Sequence, residues 1–215
     1  MIQTKKELEF YILADRIMAG LPDCASTKEW IANFLKELLG IYQTSEYLKA
    51  MRKYAYYFNV NKKTLTGRAK RAYWKYRYVK LGQKLGFTIG FNAFGYGLLI
   101  PHDGTIVVNG HCRIGNFAVL HTCTCIGGIG KQIGDALYLA TGAQIMRPLT
   151  LGDNVMVGAN SLVNKSFDSG VLLVGSPAEI KKQNLKPWYE EQGSPWKERA
   201  EKIKSVYENR FKINQ

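Results

Sequence analysis

Three histidines, His102, His111 and His121, fall within one short stretch and are the only ones in the chain. A neutral imidazole is the side chain best suited to take a proton near pH 7. His102 sits in Ile100-Pro101-His102-Asp103-Gly104-Thr105, an irregular loop flanked by proline and glycine, where a general base could stand clear of regular structure. His121 follows Leu120 and is expected to point outward. The plain alternative for either is a packed or simply exposed histidine; the loop setting favours catalysis for His102. The neighbouring His111, Cys112, Cys123 and Cys125 suggest zinc, but no second ligand pair is spaced to complete a tetrahedral set, and small thiols also suit tight packing. No metal site is expected. A third feature is Ile126-Gly127-Gly128-Ile129-Gly130-Lys131-Gln132-Ile133. Backbone at Gly127, Gly128 and Gly130 can approach a ligand closely, and Lys131 could meet a phosphate. The run is neither a P-loop nor a dinucleotide fingerprint, because no strand-turn-helix pattern surrounds it.

The surrounding pattern is one of sixes. Ile133, Leu139, Ile145, Leu151, Val157 and Val163 recur at six-residue steps, and Val108, Ile114, Leu120 and Ile126 form an earlier run in the same step. Glycine follows several of them, as in Ile114-Gly115, Ile133-Gly134, Leu151-Gly152 and Val157-Gly158. Neither a helix nor an alternating strand has this period. Three steps make a three-sided coil with one apolar residue per side, and stacked coils bury what one repeat cannot, so the fold class is mainly a β solenoid. The glycine run inserts one residue into the lattice, which predicts a loop leaving the coil there.

Helical periodicity frames this region. Helices are predicted over Thr4 to Gly20, with Leu8, Tyr11, Ile12 and Asp15 at three- and four-residue spacing, over Ser26 to Leu39, over Ser45 to Phe58, and from about Thr66 to Leu85. The organisation read from this is an N-terminal helical domain over residues 1–85, the solenoid over 86–181, and a helical tail over 182–215 that caps the open β edge. Of the 215 residues, 46% are hydrophobic, enough for a packed core. No stretch nears the roughly 20 apolar residues that span a bilayer. Four cysteines do not form a disulfide framework in a chain this long, and with no signal-peptide pattern at its start the expected location is the cytoplasm. The net charge of +13 is carried by the flanks. Its densest run, Lys62, Lys63, Arg68, Lys70, Arg71, Lys75, Arg77 and Lys80, is interleaved with Tyr73, Trp74, Tyr76 and Tyr78. That run reads either as a solvated helix face or as peripheral contact with an anionic surface; no nucleic-acid module accompanies it.

Taken in order, Pro101-His102-Asp103-Gly104-Thr105-Ile106-Val107-Val108, Gly127-Gly128-Ile129-Gly130-Lys131, Ile133-Gly134-Asp135, Val157-Gly158-Ala159-Asn160-Ser161-Leu162-Val163 and Val174-Gly175-Ser176-Pro177-Ala178 resemble the serine acetyltransferase branch of the hexapeptide-repeat acyltransferases. The resemblance implies a left-handed parallel β-helix, a homotrimer with sites between neighbouring solenoids, and acetyl-coenzyme A as donor. It makes His102 the catalytic base, with His121 in the position a histidine occupies in capsule-modifying relatives. It places the donor against Gly127, Gly128, Gly130, Lys131, Ala140, Gly142 and Ala159, with Lys165 toward its phosphates. L-serine is the acceptor the branch implies. Three departures bear on that acceptor and on partners. Residues 86–101 hold no Asp or Glu where the branch carries an acid. No Arg-His-Pro segment follows the glycine run. The C-terminal isoleucine used to dock cysteine synthase is replaced by Ile213-Asn214-Gln215. A sugar hydroxyl of a surface polysaccharide is the alternative acceptor, and a catalytically silent trimeric scaffold is the alternative class.

Overall fold

The computed structural model describes residues 1–21, 43–60 and 64–211. The helix expected over Ser26 to Leu39, together with Cys24, Lys62, Lys63 and Ile213-Asn214-Gln215, lies outside the described residues. Helix α1 (Lys5–Met18) begins at Thr4, whose hydroxyl accepts from the Glu7 N–H while the Glu7 carboxylate accepts from the Thr4 N–H, a reciprocal cap. Helix α2 (Gln43–Asn59) and α3 (Leu65–Leu85) follow. Thr64 caps α3 by accepting from the Gly67 N–H, and Gly86 ends it at φ 81°, a left-handed conformation that suits glycine.

From Phe87 the chain winds into three sheets. The first holds β1 (Phe87–Ile89), β2 (Ile106–Val108), β5 (Thr124–Ile126), β8 (Gln144–Ile145) and β11 (Leu162–Val163). The second holds β3 (Arg113–Ile114), β6 (Lys131–Ile133) and β9 (Leu149–Leu151). The third holds β4 (Val119–Leu120), β7 (Tyr138–Leu139), β10 (Met156–Val157), β12 (Leu172–Gly175) and β13 (Ala178–Lys182). Every pairing is parallel except β12 with β13, where the chain doubles back and the winding ends. All ten lattice residues are buried. The inserted residue is legible in the register. Ile133 pairs with Leu151, Leu139 with Val157 and Ile145 with Val163, each eighteen residues on. Ile114 with Ile133, Leu120 with Leu139 and Ile126 with Ile145 each span the glycine run, and each takes nineteen.

The glycines after the lattice residues have a steric cause. At one corner the Asn116 N–H donates to Asp135 Oδ1 in the next coil, the Asp135 N–H donates to Asp153 Oδ1, and the Asp153 N–H donates to Ser169 Oγ, at 2.7–2.9 Å. A Cβ on Gly115 or Gly134 would stand 2.1 Å from the carboxylate of the coil above. Glycine is therefore what lets each rung of this ladder form.

Helices and solenoid share their cores. Tyr47, Leu48 and Met51 of α2 join the lattice residues in one cluster. Phe10, Ala14, Ile17 and Met18 of α1 pack with Val119 and Ala136 on the outside of the third sheet. The tail completes that cluster through Trp188, Tyr189 and helix α4 (Trp196–Val206). One buried ion pair ties these layers. Asp15, one of the residues expected on the apolar pattern of α1, takes Arg52 Nε at 2.8 Å and the Leu98 N–H at 2.9 Å. Arg52 also donates to the Phe94 and Gly95 carbonyls. Such a fully bonded pair contributes less to net stability than to fixing one arrangement of α1, α2 and the first coil.

Candidate active site

The end of α3 positions the His102 loop. The Gly104 N–H donates to the Leu85 carbonyl and the Ile106 N–H to the Gly86 carbonyl, at 2.9 and 3.1 Å. His102 is left exposed on the corner between the third and first sheets. His121 lies on that same corner one coil on. Its N–H donates to Leu139 O at 3.0 Å, its carbonyl accepts from Thr124 Oγ1 at 2.9 Å, and its ring stands 5.2 Å from that of Tyr138. Partial burial lowers the His121 pKa from its ordinary 6.5, and the nearby charge of His102 lowers it further. The two histidines, on neighbouring coils of one corner, are therefore close enough for charge on His102 to disfavour protonation of His121.

The same corner continues through Ala140 and Ala159. The Gly142 N–H donates to Thr122 O, and the Asn160 N–H to Thr141 O, so these residues stack coil on coil beside the histidines. Gly142 is required by the coil itself: it has φ 76°, and a Cβ there would lie 2.0 Å from Asn160 Oδ1. His102, His121, Ala140, Gly142 and Ala159 are thus brought together.

Gly127, Gly128 and Gly130 stand on the opposite edge of the first sheet, where the loop carries Ile129 out into solvent, 63% exposed. Six residues of strand and corner separate the two edges, about 20 Å at most. Between them lie the outward residues Val107, Cys125, Gln144 and Leu162, which no other described element covers. The residues are suited to an extended ligand: a bare sheet bounded by small side chains at one edge and near-naked backbone at the other.

Lys131 differs from the sequence expectation. It stands two residues before Ile133, an inward position on β6, and is fully buried, with its ammonium donating to the Gly127 carbonyl beneath the loop. Cys112 reaches the Gly128 carbonyl at 3.8 Å from the same interior. Lys131 holds the loop from inside and presents no charge to solvent. Lys165 is exposed, its Nζ 5.4 Å over the Phe167 ring. Arg147, one coil earlier on the same edge and also exposed, escaped the sequence reading. The eighteen-residue spacing from Arg147 to Lys165 was the signal that could have found it. Tyr138, against His121, was missed likewise.

Among the described residues the thiols do not converge. Cys123 sits at the corner with φ 61°, which breaks the alternation that would align it with His121 and Cys125, and Cys112 lies inside the coil. Burial raises the Cys112 and Cys125 thiols above their ordinary pKa, so both stay protonated.

No family model matches the chain. The serine acetyltransferase of Staphylococcus xylosus is 36% identical over 97 residues, 42% of this chain and 45% of that protein. The chain therefore spans a little under half the length of the curated relatives it matches. Among solved structures, soybean serine acetyltransferase without ligands superposes with a TM-score of 0.58 at 22% identity, covering 81% of this chain and 69% of that one. A serine acetyltransferase in complex with CoA superposes with a TM-score of 0.56 at 19% identity, covering 80% and 67%. In sequence over part of its length, and in fold over about four-fifths of it, the chain is similar to serine acetyltransferases, β-solenoid proteins of the hexapeptide-repeat type.

Proposed function

We propose that the protein is an acetyl-coenzyme A-dependent O-acetyltransferase of the serine acetyltransferase type, with His102 as general base. The observation that carries this reading is the pair of imidazoles on one rigid corner, beside small residues and at the rim of an uncovered sheet. The donor supplies an acetyl thioester. His102, neutral, takes the proton of the acceptor hydroxyl while that oxygen attacks the thioester carbonyl. The carbon–sulfur bond then breaks, and the departing thiolate recovers a proton from the imidazolium. Charge that builds on the carbonyl oxygen needs an N–H donor, for which corner backbone is suited. His121, whose pKa is lowered chiefly by burial, orients the acceptor. The donor lies across the first sheet with its phosphates at Lys165 and Arg147, and Gly127, Gly128 and Gly130 admit its backbone-hugging arm. Lys131 serves by keeping that loop in shape.

L-serine is the leading acceptor, supported by the relatives' names. The sugar-hydroxyl reading is favoured by one specific observation: the first coil, residues 86–101, offers no carboxylate to pair with an amino group. The proposed assembly is a homotrimer in the cytoplasm. The free thiols and the uncovered first sheet support this. The test measures thiol release from acetyl-coenzyme A with L-serine and with a panel of sugars. His102→Ala should lower turnover by about a hundredfold to ten-thousandfold. Release that is undiminished in that variant rejects the base assignment, and no release with any acceptor leaves the solenoid a scaffold.

A further inference from the structure

Helix α3 has two apolar stripes, and only one of them is used by the fold. Gly67, Arg71, Trp74, Tyr78, Leu81 and Leu85 recur at four- and three-residue steps and form the inward line, with the Tyr78 hydroxyl donating to the Ile89 carbonyl. Two residues out of phase, Leu65, Ala69, Ala72, Tyr76 and Val79 repeat the same steps on the opposite side, and every one is exposed. Leu65 is 84% exposed, Tyr76 61% and Val79 40%, with Tyr73 beside them at 51%. At 100° per residue this second stripe is diametrically opposed to the first and runs about 20 Å along the helix. Arg68 and Lys75 flank it on one side, Lys80 and Lys84 on the other, all exposed. The helix carries seven Lys and Arg and no Asp or Glu.

We propose that this outward face of α3 docks on an anionic membrane surface, lying in the plane of the headgroups. An apolar centre with cations on both shoulders is the pattern of helices that bind at such an interface: Leu, Val and Tyr enter the headgroup boundary, and long basic side chains reach the phosphates. A second copy docking by the same face would set Arg68, Lys75 and Lys80 against their like. A soluble polyanion would satisfy the cations but leave Leu65, Tyr76 and Val79 in water. A lipid surface meets both demands. Among the described residues no helix is long and apolar enough to cross a membrane, so the contact is peripheral. The inference does not rest on the acetyltransferase reading.

The test sediments the full-length protein with phosphatidylcholine vesicles and with the same vesicles doped with phosphatidylglycerol, in low and high salt. The unaltered protein should pellet with the doped vesicles alone. Lys75→Gln with Lys80→Gln should weaken binding by about 25-fold, near fivefold for each cation lost. Tyr76→Ser with Val79→Ser should retain binding in low salt and lose it in high salt. These positions face solvent, so circular dichroism should show both variants folded. Equal binding to neutral vesicles, or a serine variant that binds like the parent in high salt, overturns the proposal. Dextran sulfate binding as tight as vesicle binding would assign the face to soluble polyanions instead. An oligomer that the serine variant dissociates would make it an interface between copies.

Discussion

The third and first sheets of the solenoid are built on the same lattice, yet their outer faces have opposite fates. Val119, Tyr138 and Met156 look outward from the third, and they are roofed by α1, α4 and the aromatic pair Trp188 and Tyr189. Trp188 is fixed there by its indole N–H, which donates to the Phe117 carbonyl at 2.7 Å. Val107, Cys125, Gln144 and Leu162 look outward from the first sheet with nothing described above them. The lattice dictates what lies inside each coil and says nothing about the outside. Outward side chains decide whether a face receives the chain's own tail or is left for a ligand, and both histidines stand on the edge where the two regimes meet.

Removing the roof over the third sheet carries the largest effect. Trp188→Ala should destabilise the protein by about 3–5 kcal/mol, read as a lower midpoint in urea unfolding; a loss below about 1 kcal/mol would mean that the third face does not need its cover. Lys131→Met should cost less, about 1–3 kcal/mol, from leaving the Gly127 carbonyl unsatisfied inside the coil. The same variant should leave the Michaelis constant for acetyl-coenzyme A near its parent value. A large rise there, with stability unchanged, would return Lys131 to the ligand.

A smaller effect lies on the boundary edge. His121 should titrate below 6.5 in an NMR pH series. Its folded-state pKa is lowered, so its contribution to stability is complete above the unfolded value and declines as pH falls toward the folded one. His102→Ala should raise that pKa without restoring it to 6.5, because burial is the larger cause; an unmoved value would show that the two rings do not share a space. Least of all, Gln144→Ala on the bare sheet should change stability by no more than about 0.5 kcal/mol. A larger loss would reveal that something covers that face.

Much of this was legible in the residues because the period of six is a direct image of the coil. The inserted residue at Gly127 to Gly130 was readable as well, since a loop that leaves the lattice shifts every later position. At Lys131 phase outweighs charge: alternation from Ile133 turns it inward. Asp15 sat within an apolar pattern, but nothing local reveals that Arg52, from another helix, would meet it there. Arg147 and Tyr138 become visible only once coils are stacked. The doubled stripe of α3 was present in the spacing, yet which stripe the fold would bury depends on where α2 and the first coil lie.

The aspartate ladder has a consequence for how such a chain can change length. The rungs span nineteen, eighteen and sixteen residues, yet each joins a corner of one turn to the same corner of the next, so adding or deleting a complete turn leaves every remaining rung matched. A single-residue change inside a turn misaligns all three sheets at once, unless a loop ejects the surplus, as happens at Gly127 to Gly130. Growth of this molecule is therefore quantised, and evolution or an engineer can lengthen its working edge in whole turns.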